Sequence, residues 1–299
     1  MPISKQIFYI LLIIFFGLTQ FQFSQKNSID TLISIYKNDN KNPENIINIG
    51  ELYASEKKWD LAIDFYEKLV ALDPENADYL YRLGGTQAAY SEVVSKFKVL
   101  PLINNAKRNL IKSASLDNQH IFSRWALVQI LTELPKLLGG NKDDALKYCE
   151  EILNISKIHG LISYYYFHTF LLDEKKIAEY EKRIIELIKS DPALFDFNYF
   201  NFIIGKILAN QNDKIYNRLS PRYLQKYITD YSSADRFSLD EVYYLLAYSS
   251  YKLNDNNSKY FIKVSKEILS KSNSKNHKLV EKINELEKLI IKWESILLR

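Results

Sequence analysis

The chain has 299 residues, 47% of them hydrophobic and 25% charged, close to the average of soluble globular proteins, which excludes a disordered tail protein and a polytopic membrane protein. Lys and Arg number 40 against 36 Asp and Glu, with the signs interleaved, so no nucleic-acid partner is expected. Eight Gly and seven Pro are few for this length and favour long helices over a β-sandwich; one Cys and four His rule out an internal disulfide and leave little for a metal, so no cofactor or metal is expected.

Residues 1–24 read as an export signal. Lys5 supplies the positive start, Ile7 to Leu18 is an apolar run, and cleavage is expected near Ser24. The run is shorter than the roughly 20 apolar residues that cross a bilayer. The alternatives are an uncleaved N-terminal anchor, then the one membrane contact of the chain, and a buried first helix. The expected location is therefore exported, periplasmic or at the cell envelope. The single thiol, Cys149, suits an oxidising compartment because it has no wrong partner. Residues 25–42 form a leading segment.

An internal period begins at Pro43. Ile46, Ile49-Gly50, Tyr53, Ala62, Tyr66, Leu69 and Pro74 fall on the spacing W-x2-L-G-x2-Y, A-x3-F, P. The stretch Pro43 to Asn76 resembles a tetratricopeptide (TPR) repeat. The chemistry explains the pattern: Gly50 and Ala62 are small, so two helices approach closely. Tyr53 and Tyr66 fill the space between them, and Asp73-Pro74 stops the second helix. The stop recurs at Asp117, Ser156 and Asp191, at spacings of 44, 39 and 35 residues. Against a 34-residue unit, two units are enlarged, around Val93 to Pro101 and around Leu134 to Gly140. Both excesses are expected in the turn between paired helices, with a helix extension left open for the first.

The fourth unit, Leu161 to Pro192, has His168 and Tyr180 where small residues are expected. Ala178, two residues away, suggests a shifted register. Beyond Ala193 the pattern weakens. Helices are predicted over Phe195 to Leu208, over Leu219 to Tyr231 with Pro221 in its first turn, over Leu239 to Leu253 and over Ser258 to Ser270. His277 to Leu298 repeats Leu279, Ile283, Leu286, Ile290 and Trp293 at three or four residues. That periodicity predicts an amphipathic helix capping the stack, or else a short zipper. The expected fold is all-α: a right-handed α-solenoid of TPR-like helix pairs over 43–192, then degenerate helical repeats and a capping helix over 193–299.

No catalytic constellation is present. The four His never form H-x-x-x-H, and no G-x-S-x-G, P-loop or G-x-G-x-x-G occurs. Cys149 is expected to be a buried core thiol. In TPR arrays the first helix of each pair lines the concave surface. Carried onto this chain, that places Asn48, Glu51, Tyr81, Arg82, Gly85, Trp125, Gln129, Tyr165, Tyr166 and Thr169 in a groove, and aromatics with Arg are the composition of binding hot spots. The segment Leu134-Pro135-Lys136-Leu137-Leu138-Gly139-Gly140 through Ala145 resembles a turn of exported bacterial TPR-like proteins, including those associated with TRAP-type solute transporters. The family resemblance implies a non-enzymatic scaffold that binds a protein or peptide segment in its groove. The transporter resemblance implies the alternative, an accessory protein holding a small organic ligand. Oligomeric state is not readable.

Overall fold

The computed structural model describes residues 29–271 and 277–297; the export signal lies outside the described residues. All regular structure among them is helical. It falls into two compact units, one ending at Ile130 and the other beginning at Leu131.

The first unit opens with α1 (residues 29–38), followed by α2 (Pro43–Ser55), α3 (Trp59–Leu72), α4 (Ala77–Ser91), α5 (Lys96–Leu116) and most of α6 (Ile121–Glu133). Short connections make successive helices antiparallel neighbours. The Asn42 side chain accepts from Glu44 N and caps α2, with Pro43 in the first turn where its missing N–H is harmless. α3 ends before Asp73-Pro74, as the sequence predicts. A Cβ on Gly50 would lie 2.5 Å from Cε1 of Tyr66, so only glycine lets α2 sit this close to α3. Ile46, Ala62, Tyr66, Leu69 and Leu83 form the core here, with Tyr53 packed at its margin. Three carbonyls beside the α5–α6 turn, those of Ala114, Asp117 and His120, all accept from the buried Arg124 guanidinium.

The second unit contains the end of α6, a 3-10 turn at Lys136–Leu138, α7 (Lys142–Ile155), α8 (Lys157–Phe170), α9 (Glu174–Ser190), α10 (Asn198–Asn210), α11 (Lys214–Thr229), α12 (Leu239–Lys252), α13 (Asn257–Lys271) and α14 (His277–Leu297). α8 pairs with α9, α10 with α11 and α12 with α13; α7 packs on α8, and α14 packs on α12 and α13. α14 buries Leu279, Ile283, Leu286 and Ile290 against Ala247 and Ile262. Each such side chain contributes about 1.5–3 kcal/mol relative to exposure, which is the capping role its periodicity predicts.

The excess around Leu134 to Gly140 is a turn. Gly139 has φ 89°, a left-handed conformation that favours glycine, and the Asn141 side chain accepts from Asp143 N and Asp144 N to start α7. The residues that resemble the transporter-associated turn thus have a structural reason to be there. Of the two alternatives around Val93 to Pro101, the helix extension is what forms: from Lys96 the chain is helix, with Pro101 inside α5. Three expectations are corrected. The fourth unit keeps its register, because Tyr180 itself is buried and Ala178 is exposed; Tyr180 stacks on Tyr164 and His168 of α8 instead of making a close helix contact. Phe195 precedes α10 rather than starting it. Both backbone groups of Phe195 are taken by the Asn201 side chain, which accepts from its N–H and donates to its carbonyl. α11 begins at Lys214, not Leu219, because the Asp213 side chain caps it by accepting from Ile215 N; Pro221 therefore lies in the interior of the helix.

Candidate functional site

The residues picked out by the repeat pattern divide between the two units. In the first, Asn48 and Glu51 are exposed on α2. Arg82 of α4 places Nη1 2.5 Å from Glu51 Oε1 and Nε 2.7 Å from Asp78 Oδ2. These two carboxylates hold its pKa above the ordinary value despite burial, and they occupy the guanidinium that a partner's carboxylate would need. Tyr81 lies against the rings of His120 and Phe122, at 5.1 and 6.0 Å between centroids. Burial pushes its phenol up to about 12. Gln129 is half-buried on α6. Gly85 faces Tyr81 at ordinary contact distance. Trp125 is corrected: it is 2% exposed, a core residue and not part of any binding surface.

In the second unit Tyr165, Tyr166 and Thr169 do come together, in a cleft of about 200 Å³. α8 supplies those three and Phe170, α10 supplies Tyr199, Ile203 and Lys206, and the 230–238 connection supplies Arg236 and Phe237. Glu133, the last residue of α6, closes one wall. The helix period explains the wall on α10, since residues 199, 203 and 206 share a face at four- and three-residue spacing.

The charges in the cleft are matched from within. Arg236 Nη2 lies 2.8 Å from Glu133 Oε1, and the Tyr166 hydroxyl donates to the same carboxylate oxygen. Lys206 Nζ lies 3.1 Å from Glu241 Oε1 and faces the rings of Phe202 and Phe237 at 5.5 and 5.9 Å. Phe237 stacks on Phe202 at 3.7 Å, which fixes the connection against α10. Burial raises the phenols of Tyr165, Tyr166 and Tyr199 above their usual range; for Tyr166 the hydrogen bond to Glu133 adds to it. All three are therefore neutral hydroxyls near pH 7. What remains for a ligand is aromatic wall with hydroxyl groups, carrying little net charge.

Glu133, Tyr199, Ile203, Lys206, Arg236 and Phe237 were not picked out by the sequence. The helical register carried past Pro192 points to Tyr199 and Ile203; nothing in the repeat points to Arg236 or Phe237, which lie between helices. Cys149 is buried in α7, and burial pushes its thiol up to about 12. Among the described residues no group of three or more His, Cys, Asp or Glu is placed to hold a metal ion, and no helix is long and apolar enough to cross a membrane.

No known sequence family matches the chain, and no curated protein does. Solved structures do. MamA is 18% identical, with 58% of this chain and 94% of that one covered and a TM-score of 0.44. A tetratricopeptide repeat protein from Parabacteroides merdae is 12% identical over 95% of this chain and 98% of that one, with a TM-score of 0.47. YrrB, described as a TPR protein with an unusual peptide-binding site, is 18% identical over 60% and 85%, with a TM-score of 0.40. The chain is TPR-like on its own geometry: antiparallel helix pairs, a glycine under a tyrosine at the closest crossing of α2 and α3, and a proline stop at its period.

Proposed function

We propose that the chain is a helical-repeat binding module whose cleft between α8 and α10 takes one large apolar or aromatic side chain of a protein segment. The carrying observation is the size and lining of that cleft. About 200 Å³ is below the roughly 300–1,000 Å³ of small-molecule sites, so a single anchoring side chain suits it better than a whole organic ligand. Tyr-lined walls with an Arg at the rim are the composition of interface hot spots. Matched charges inside the cleft favour an apolar anchor over an ionic one. The rest of the segment would lie along the exposed ends of α8, near Thr169 and Phe170.

The module is exported and works at the cell envelope. Lys5 and the apolar run Ile7 to Leu18 support that part of the reading.

The test is panning of a random dodecapeptide phage library on the immobilised full chain and on a Thr169→Trp variant. Thr169 is an exposed residue of the rim, so the added indole fills the cleft without disturbing the core. Enrichment of peptides that share one Leu, Phe, Tyr or Trp and fail on the variant supports the proposal. Enriched peptides that bind both proteins equally would overturn it. Stabilisation by members of a metabolite panel with no peptide enrichment would instead support the small-ligand alternative.

A further inference from the structure

The second helix pair carries more helix than the pairing uses. α5 has 21 residues against 15 in α4, and none of its described residues before Ile103 is buried. Large apolar side chains are in solvent there: Phe97 is 95% exposed, Val93 in the preceding turn 65% and Leu100 44%. Single exposed apolar residues are ordinary. Three within eight residues at one helix end are not, because clustered exposed apolar side chains usually mark a docking surface.

The charge of the same segment says what docks. From Val93 to Leu116 the sequence has five Lys and Arg and no Asp or Glu, with Glu92 just before it and Asp117 just after, in a chain whose totals nearly balance. Lys98 is exposed beside Phe97, and Arg108 is exposed further along α5; the Lys112 ammonium donates to the Pro74 carbonyl. An apolar tip with a basic shoulder is the arrangement that lets a helix enter the boundary between lipid headgroups and acyl chains while its cations meet the phosphates. A nucleic acid would use the cations but leave Phe97 and Val93 in water.

We propose that the N-terminal end of α5 docks on an anionic lipid surface, with Phe97, Leu100 and Val93 below the headgroups and Lys98 and Arg108 against them. The contact lies in the first unit and does not depend on the cleft of the second. It adds a membrane contact beyond the apolar run at the N-terminus.

The test uses the full chain with Val93→Cys carrying a bimane label. Cys149 is buried and protonated, so the label goes to residue 93. The apolar run at residues 7–18 can tether the chain to a vesicle without moving this probe. Expected on phosphatidylglycerol vesicles are a blue shift and quenching by a bilayer-embedded quencher. Both should need at least tenfold more phosphatidylcholine, be lost with Phe97→Ser and Leu100→Ser, and weaken about tenfold with Lys98→Glu. The Ser variants replace exposed side chains, so an unchanged melting temperature confirms that they fold. Three results would overturn the proposal: vesicle binding with no response at residue 93, an equal response on both lipids, or a response to duplex DNA and none to vesicles.

Discussion

The guanidinium of Arg236 lies 2.8 Å from Oε1 of Glu133, a residue 103 positions earlier in the chain. The pair sits at the rim of the cleft, half in solvent. Partly exposed ion pairs contribute about 0–1 kcal/mol, so Arg236→Ala should lower stability by less than about 1 kcal/mol. It should weaken binding of a cleft-directed peptide by tenfold or more, because the variant also removes one wall. Urea unfolding and peptide titration on the same preparation separate the two effects.

The glycines divide by what surrounds them. A Cβ on Gly160 would fall 2.2 Å from Cα of Leu153, and backbone cannot step aside. Gly160→Ala should therefore destabilise by about 1–3 kcal/mol or more through overpacking. Gly85 has its nearest neighbour, Tyr81 Cε2, at 3.9 Å. Gly85→Ala should stabilise by about 0.5–1 kcal/mol through helix propensity. Denaturant midpoints at constant slope give both signs.

Stability should fall with acid near pH 6. His159 has the rings of Phe195 and Phe200 at 5.4 and 5.0 Å and its Nδ1 2.7 Å from Ser156 Oγ. Burial lowers its pKa below the ordinary value. The unfolded chain therefore takes up a proton near pH 6.5 that the folded one refuses until lower pH. Its contribution is fully present above about pH 6.5 and is lost as pH falls through that window, by at most about 1.4 kcal/mol per pH unit. His120 and His168 shift the same way, also chiefly through burial. Melting temperatures between pH 7.5 and 5.5 should show the slope, and His159→Gln should flatten it.

α14 should behave as part of the core. Ile283 is fully buried while Leu289 on the same helix is 45% exposed. Ile283→Ala should cost about 2–5 kcal/mol, and Leu289→Ala should stay within about 0.5 kcal/mol. Equal effects would mean that α14 does not cap the stack.

Cys149 should resist alkylation at pH 8 in the folded protein and react at once in denaturant, because a buried thiol held near 12 presents almost no thiolate. Mass spectrometry after iodoacetamide treatment reads this directly.

What the sequence made legible follows a physical boundary. Gly50, Ala62 and Tyr66 could be placed because close helix packing imposes fixed residue sizes at fixed spacing. The Asp73-Pro74 stop and the α14 stripe could be placed because their chemistry is local. Trp125 could not: a groove position and a core position on one helix differ by a rotation that composition does not encode. Phe195 and Asp213 escaped because a side chain from further along, Asn201 for the one, and a cap ahead of the expected start for the other, set those boundaries. Three residues of the cleft were readable, since Tyr165, Tyr166 and Thr169 follow the repeat. Arg236 and Phe237 were not, because they come from a connection whose path depends on Phe202 stacking 35 residues away in sequence.

The most direct measurement is calorimetric titration of one selected peptide into the wild-type chain, Thr169→Trp and Arg82→Ala. The predicted result is a micromolar affinity for wild type, weakened at least tenfold by Thr169→Trp and unchanged by Arg82→Ala. Loss of binding in Arg82→Ala with none in Thr169→Trp would contradict the account and return the site to the Glu51–Arg82 face of the first unit.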